Sequence, residues 1–422
     1  MLTVAIAGLG TVGSAVLRHL QQNAALITAR AGQPITVKAV SARDKTRSRN
    51  ADLSAIEWHD DPRALATLPG VDVVVELMGG AEGAARQLAE SALANGKHIV
   101  TANKALIATH GATLARLAKT NNVQLSFEAA VAGGIPIIKT LRESLAGDNI
   151  EKLSGILNGT CNYILTRMRN AKLDFAAALA EAQQHGYAEA DPSADIDGHD
   201  TANKLAILVA LAFGTEPNLA AIKAEGIRSI TALDLQFAEE LGYRVKLLGT
   251  ARQHAEGIEQ RVCPTLIRES SPLARIDGAL NAVLIHGKQV GPLTLEGAGA
   301  GGAPTANAVI ADLIDIARGH RTDAFSTAQL NTLPHGKAQP TCHYIRLQVA
   351  DKPGVVADIS AILRDEALSI ASLIQRGQST TGSVPVILTT HACDTAAIRR
   401  ALEKIALLPV VMAPPCLMPI ED

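Results

Sequence analysis

The densest polar cluster in the chain is YAEADPSADIDGHDTANKLAILVALAFG, where Glu189, Asp191, Asp195, Asp197 and Asp200 crowd ahead of Lys204. A calcium loop is the first chemistry to test. With Gly198 at the sixth place of an EF-hand template, position twelve falls on Lys204 where a bidentate Glu is required, so the template fails. Acid/base chemistry fits the residues better. Asp200 and Lys204 stand four apart, hence on one helical face, and the residues after Lys204 are apolar nearly all round, which predicts a helix buried along most of its length. A lysine entering such a helix, pinned by a carboxylate, can donate a proton to a carbonyl oxygen or take one from a hydroxyl. The plainer alternative is a structural ion pair at a helix start.

A second constellation opens the chain. Gly8, Gly10 and Gly13 give GxGxxG between an apolar run and a helical pattern. One glycine serves the tight turn, one the close approach of a pyrophosphate and one helix packing, while the helix amides hold the anion. The acid expected at the end of the next strand is missing; Ser41, Ala42, Arg43, Asp44 and Lys45 stand there instead. A guanidinium at Arg43 can pair with a 2′-phosphate, which argues that NADP is accepted. In TANKAL, Lys104 follows a strand ending at Thr101, at the carboxyl edge where open α/β sheets bind ligands. Glu128 in SFEAAVAGGIP precedes small residues whose carbonyls could line up on a cation, or which simply make a bend between domains.

These groups need elements to hold them. Strands are expected over Leu2–Ala7, Ile35–Val40, Val71–Leu77, His98–Thr101 and Val123–Phe127, with a helix over Ala84–Asn95, a βαβ alternation that builds a doubly wound parallel sheet. This is the expected dinucleotide-binding domain, 1–130. From 131 to 320 an α+β domain follows, with helices near Phe175–His185 and after Asp200. It closes on a small-residue loop and a helix near 305–318, with Val309, Ile310, Leu313 and Ile314 on one face, which would pack back on the first domain. A linker is expected over 321–340. The last unit, 341–422, reads strand His343–Val349, turn DKPG, helix Val355–Arg364, strand Leu368–Gln375, turn GQSTTG, strand Val384–Thr390, helix Thr395–Ile405 and a closing strand. That βαββαβ order is ferredoxin-like and commonly serves as a ligand-sensing or pairing module.

Composition narrows the function classes. At 422 residues, with 39 basic against 41 acidic, 47% hydrophobic and only 2% aromatic residues, the chain should bury a large core. The balanced charge and scarce aromatics argue against a nucleic-acid partner. Its longest apolar run, Leu205–Phe213, is far short of the roughly 20 residues of a membrane span. MLTVAIAGLG reads as a first strand rather than an export signal. Cys161, Cys263, Cys342, Cys393 and Cys416 are scattered, odd in number and without CxxC spacing, which suggests a reducing cytoplasm and no zinc.

Taken together, GLGTVG, TANKAL, FEAAVAGGIP, GILNGTCNYIL, EADPSADIDGHDTANKLAIL and GAGAGGAPTA resemble bacterial homoserine dehydrogenases over essentially the whole chain. The last unit, with DKPGVVADI, resembles the ACT domain that many of these enzymes carry. The resemblance implies interconversion of L-homoserine and L-aspartate 4-semialdehyde with NAD or NADP, on the way to threonine, methionine and isoleucine. It implies Lys204 as the acid/base lysine with Asp200 beside it, and Lys104 as a second active-site lysine near the nicotinamide. Glu189, with Asp195 nearby, would bind the substrate, and Thr11, Val12, Arg43, Gly186 and Gly302 would touch the cofactor along with Gly8, Gly10 and Gly13. Glu128 and the carbonyls of Val131, Gly133 and Ile135 would form a structural monovalent cation site, usually sodium. A homodimer or homotetramer paired through the middle domain is implied, and feedback by L-threonine at the ACT-like unit is the expected regulation.

Two rival readings remain at this point. Cys161 in NGTCNY could be the nucleophile of an aldehyde or acyl-phosphate dehydrogenase working through a thioester. Alternatively, the chain is a non-catalytic amino-acid sensor with a scaffold first domain. Lys104, Glu189, Asp200 and Lys204 together argue against both.

Overall fold

The computed structural model describes residues 1–422 other than 328, 335, 377–381 and 422, and the described residues build two sheets. In the first, β1 (Leu2–Ala7), β2 (Ile35–Ser41), β3 (Glu57–His59), β4 (Val73–Glu76), β5 (His98–Thr101) and β6 (Leu125–Ser126) run parallel in the order β3-β2-β1-β4-β5-β6. Val4, Ala5, Ile6, Val73, Val74 and Val75 are fully buried, as continuous apolar runs covered on both faces must be. The strand order reverses between β1 and β4, so a crevice opens outside their carboxyl ends. β3 was not expected, because its three residues, EWH, carry no periodicity. The expected strands over Val71–Leu77 and Val123–Phe127 are shorter in the structure. Val71 instead turns its carbonyl to Lys97 Nζ at 2.7 Å, and Phe127 leaves the sheet to stack on Phe325.

The second sheet takes its middle part from β7 (Ile150–Ile156), β8 (Lys223–Ala224), β9 (Tyr243–His254), β10 (Gly257–Arg268), β11 (Leu280–Gly287) and β12 (Gly291–Ala298). Its remainder is the C-terminal unit: β13 (Cys342–Ala350), helix Val355–Asp365, β14 (Ile370–Gln375), β15 (Ser383–Thr390), helix Thr395–Ala406 and β16 (Val411–Glu421). The βαββαβ order is the one read from the sequence. Of the GQSTTG turn, residues 377–381 lie outside the described residues and Gly382 is described.

The two parts are not separate. β16 pairs in parallel with β10, Leu266 opposite Ile420 and Ile267 opposite Glu421, giving one sheet in the order β12-β11-β7-β9-β10-β16-β13-β15-β14 with β8 beside β10. Strand alternation explains the fusion. One face of the C-terminal strands, with Ile345, Leu347, Val349 and Leu388, packs on that unit's own helices. The other, with Tyr344, Ile387, Met418 and Ile420, joins the core of the middle part. The stretch 321–340 is packed as well: Phe325 is buried against Phe127, and Pro334 accepts a hydrogen bond from Ile258.

The chain also returns to its beginning. Helix Gly302–Ala317 buries Val309, Ile310, Leu313 and Ile316 in the same cluster as Val16, Leu17 and Leu20 of helix Thr11–Gln22. Two helices without a strong sequence signature, Lys104–Thr120 and Gly159–Ala171, complete the scaffold of the site.

Candidate active site

Helix His199–Phe213 begins at Gly198, whose φ of +85° permits the left-handed turn that sets Asp200 in the first helical turn. From Leu205 to Leu211 every residue is buried, and Asp200 and Lys204 are themselves only 6% and 8% exposed. Lys204 Nζ donates to Asp200 Oδ2 at 2.7 Å and to the Leu157 carbonyl just beyond β7 at 2.6 Å. A separate element brings the second lysine. Lys104 is the first residue of helix Lys104–Thr120, directly past β5, and its Nζ lies 2.9 Å from Asp200 Oδ1. One carboxylate therefore bridges two ammonium groups, one from each part of the molecule. Lys104 keeps 42% of its side chain exposed, so the arrangement faces an opening.

Asn158 completes the arrangement and was not singled out in the sequence. Its Nδ2 donates to Asp195 Oδ1 at 2.7 Å and Asp200 Oδ2 at 2.9 Å, while its Oδ1 accepts from Cys161 N at 2.8 Å as the N-cap of helix Gly159–Ala171. An Asn before Gly-Thr at a helix start is a capping signal, which gave the only sequence clue. Burial alone would raise the Asp200 pKa, but Lys204 and Lys104 outweigh it and hold the carboxyl well below its usual range. Burial raises that of Asp195, against the Asn158 hydrogen bond. For Lys104, burial lowers the pKa, yet Asp200 with Asp195 and Glu189 leaves it above its ordinary value. Glu189 is exposed, close enough to contribute to the field at Lys104.

The turn carrying Lys104 is rigidly held. Glu76, fully buried at the end of β4, accepts from Thr101 Oγ1 at 2.7 Å and from Met78 N at 2.7 Å. Asn103 donates to the Gly80 carbonyl at 2.7 Å and caps the Lys104 helix through Leu106 N. Neither residue was picked out from the sequence, since single polar residues at strand ends carry no spacing signal.

Gly8, Gly10 and Gly13 sit between β1 and helix Thr11–Gln22 with distinct reasons. A Cβ on Gly8, at φ +98°, would lie 2.6 Å from the Leu77 carbonyl oxygen, and one on Gly13 would collide with Gly8 O at 1.9 Å. Gly10 has open space instead, which suits a group lying against the backbone. The helix start at Thr11 and Val12 carries no side-chain cap and no acidic residue, so its amides are available to an anion. Gly302 opens its own helix beside it, and a Cβ there would meet Thr11 O at 3.2 Å. These residues fit a dinucleotide pyrophosphate. Arg43 is exposed past β2, whereas Asp44 is folded into its own turn, accepting from Thr46 N at 2.8 Å and Thr46 Oγ1 at 2.7 Å. Buried Arg49 braces this loop, its guanidinium reaching the Asp44 and Arg47 carbonyls and Leu9 O. Gly186, exposed at φ +74°, follows helix Phe175–Gln184 in the loop leading to Glu189.

Glu128 lies apart from these groups, at a buried turn after β6. Its carboxylate accepts from Ile138 N at 3.0 Å and Lys139 N at 2.8 Å, and burial followed by the neighbouring Asp312 pushes its pKa up to about 7. Val131, Gly133 and Ile135 follow on the same turn, although the Ile135 carbonyl also accepts from Ile137 N at 2.8 Å. Two buried acids stand side by side here, with Lys139 Nζ 3.7 Å from Asp312 Oδ1, and a small cation among the neighbouring carbonyls would offset the charge that remains. Cys161, in contrast, does not fit a nucleophile. It is fully buried, its Sγ donates to the Asp195 carbonyl, and burial pushes its pKa well above the usual thiol value, which corrects the thioester reading. The described cysteines are all free thiols.

Comparison with known proteins supplies the family. The profile for the homoserine dehydrogenase NAD binding domain matches residues 8–128, that for homoserine dehydrogenase 136–314, and that for the ACT domain 343–407. Homoserine dehydrogenase of Neisseria gonorrhoeae is 44% identical over 430 residues, covering 99% of this chain and 98% of its own. The crystal structure of a homoserine dehydrogenase from Thiobacillus denitrificans superposes with a TM-score of 0.93 at 45% identity, covering 100% of this chain and 98% of that one. A hyperthermophilic archaeal homoserine dehydrogenase in complex with NADPH superposes at a TM-score of 0.66 with 27% identity, over 76% of this chain and 99% of its own. A dinucleotide crevice, a lysine pair on one buried carboxylate and a C-terminal βαββαβ unit thus occur together in a chain that belongs to the homoserine dehydrogenase family, NAD(P)-dependent oxidoreductases.

Proposed function

We propose that this site interconverts L-homoserine and L-aspartate 4-semialdehyde, with Lys204 as the acid/base and Lys104 as the second ammonium on the reacting oxygen. The observation that carries the reading is Asp200, whose two oxygens hold both ammonium nitrogens within 2.9 Å. Gly8, Gly10 and Gly13 with the helix start at Thr11 and Val12 would hold the pyrophosphate of NAD or NADP, which would supply or accept the hydride. As charge develops on the substrate oxygen, two fixed ammonium groups stabilise it with little reorganisation, and Lys204 delivers the proton. In the opposite direction Lys204 takes the hydroxyl proton. Asp200 keeps both lysines in place and stays anionic throughout, because their charges favour its ionised form. Glu189 and Asp195 bind the substrate ammonium from the other side. A spectrophotometric assay of aspartate semialdehyde with NADPH and with NADH, each with and without L-threonine, tests the activity. Nicotinamide oxidation that depends on the semialdehyde supports it, and its absence refutes it.

Several finer assignments rest on the same reading. Arg43 pairs with a 2′-phosphate, supported by the withdrawal of Asp44 into its own turn, so NADPH serves as cofactor and Arg43→Ala narrows its advantage over NADH. Gly8, Gly10, Gly13, Thr11, Val12, Gly186 and Gly302 flank that cofactor. Glu128 with the Val131, Gly133 and Ile135 carbonyls holds sodium in a structural role. Replacing choline chloride by sodium chloride at equal ionic strength should then raise Tm, and Glu128→Gln should abolish the difference. L-Threonine is the proposed effector of the C-terminal unit, and the assembly is a homodimer or homotetramer in the cytoplasm. Among the described residues no helix is long and apolar enough to cross a membrane.

A further inference from the structure

The C-terminal unit reaches the substrate segment through one continuous set of contacts. Arg346 on β13 projects from the sheet face opposite its own unit's helices, and its Nε lies 2.8 Å from Asp234 Oδ1. Tyr344, two residues earlier on the same face, donates its hydroxyl to the same oxygen at 3.1 Å. Asp234 is fully buried in the first turn of helix Ala232–Glu240, where its Oδ2 accepts from Thr231 N at 2.8 Å in a capping box. Arg346 Nη2 also reaches the Ser229 carbonyl at 3.4 Å. Both partners of Arg346 thus anchor the segment 226–231 that precedes the helix.

That segment lies directly against the substrate loop. Ile227 N donates to the Ile196 carbonyl at 2.9 Å, and a Cβ on Gly226 would fall 2.0 Å from the same oxygen, so the two backbones touch. Arg228 grips the loop from outside with a two-pronged contact to Asp197, Nε to Oδ1 at 2.5 Å and Nη2 to Oδ2 at 3.0 Å, and with a bond to Ser193 Oγ at 3.2 Å. Ser193 and Asp197 bracket the short helix Ser193–Ile196 that carries Asp195, whose side chain meets Asn158 and through it Asp200.

We infer that Arg346 and Arg228 are positioning residues for the substrate site, Arg346 fixing the 226–231 segment through Asp234 and Arg228 transmitting that position to Asp195. The C-terminal unit then sets substrate affinity as part of the wall behind the acidic loop, and any displacement of β13 reaches the substrate before it reaches the cofactor. Nothing in the set touches the glycine turn, so the effect separates the two ligands. The inference rests on the assignment of Asp195 to substrate binding.

The test uses the full chain with Arg228→Gln, Arg228→Lys, Tyr344→Phe, Arg346→Met and the Arg228→Gln/Arg346→Met double variant. Arg228 is half exposed and Tyr344→Phe removes a single hydroxyl, so these variants remain informative if Arg346→Met folds poorly. Arg228→Gln and Arg346→Met should each raise KM for aspartate semialdehyde about tenfold, and Tyr344→Phe by a smaller factor, with kcat within about twofold and KM for NADPH unchanged. The double variant should add little to either, as expected of groups acting in series, and Arg228→Lys should recover part of the loss. Amide exchange at Ile196, Asp197 and Gly198 should accelerate in the same variants, a readout that needs no turnover and so separates this inference from the proposed activity. An unchanged semialdehyde KM in Arg228→Gln and Tyr344→Phe, or exchange at these amides equal to wild type, would overturn it.

Discussion

Asp200 is the residue on which both lysines depend, and its own charge state is set by them. Its carboxyl is buried, which opposes ionisation, yet the two ammonium groups hold its pKa below the ordinary 3.8. The stability it contributes is therefore complete above that ordinary value and is lost only as the pH falls through the lower native one, so the arrangement persists through neutral and mildly acidic solution. Asn158 is the less obvious member. Because it donates to both Asp195 and Asp200, Asn158→Ala leaves two carboxylates facing each other without a shared donor. We expect kcat/KM for aspartate semialdehyde to fall about tenfold or more while the fold, judged by circular dichroism, is retained. Activity equal to wild type would show that the bridge is incidental. The acid/lysine cluster was legible from spacing alone, because four residues separate Asp200 and Lys204 and the helix after them is uniformly apolar. Asn158, Glu76 and Asn103 were not, since each acts across the fold on a partner that only tertiary packing supplies.

At the level of elements, strand β1 with its glycine turn was legible to within a residue, because every local cue agreed there. Strand β3, helix Lys104–Thr120 and helix Gly159–Ala171 were missed or left unresolved, being held by neighbours rather than by a strong period of their own. The start of β13 carries a pH-sensitive group. His343 is buried there beside Cys393, and burial, with Arg261 and Arg399 adding to it, lowers its pKa from 6.5 to about 4. A neutral buried imidazole stabilises the fold fully above pH 6.5, and that stability declines as the pH falls toward 4, because only the unfolded chain then binds the proton readily. Thermal unfolding at pH 7 and pH 4.5 should show a smaller drop in Tm for His343→Gln than for wild type. An equal drop in both would place the sensitivity elsewhere.

For the whole molecule, the feature least visible in the sequence is the single sheet that joins the middle and C-terminal parts. The βαββαβ order was read correctly, but pairing of β16 with β10 depends on a contact between strands about 150 residues apart, which no local pattern encodes. Glu421 at its end lies 2.9 Å from Lys152 and 2.8 Å from Arg261, and Arg346 neutralises the buried Asp234. Removing residues 341–422 would uncover the β10 edge, the apolar face under Tyr344 and Met418, and an unpaired buried carboxylate. The truncated chain should lose at least about 5 °C in Tm or associate on size-exclusion chromatography, and unchanged melting would show that the shared sheet contributes little. The central claim concerns a proton at the crevice between the two sheets, and the direct measurement is NADPH oxidation by aspartate semialdehyde in Lys204→Ala against wild type. The account predicts a kcat lower by about a hundred to ten thousand fold with NADPH binding retained, whereas turnover at the wild-type rate would contradict it.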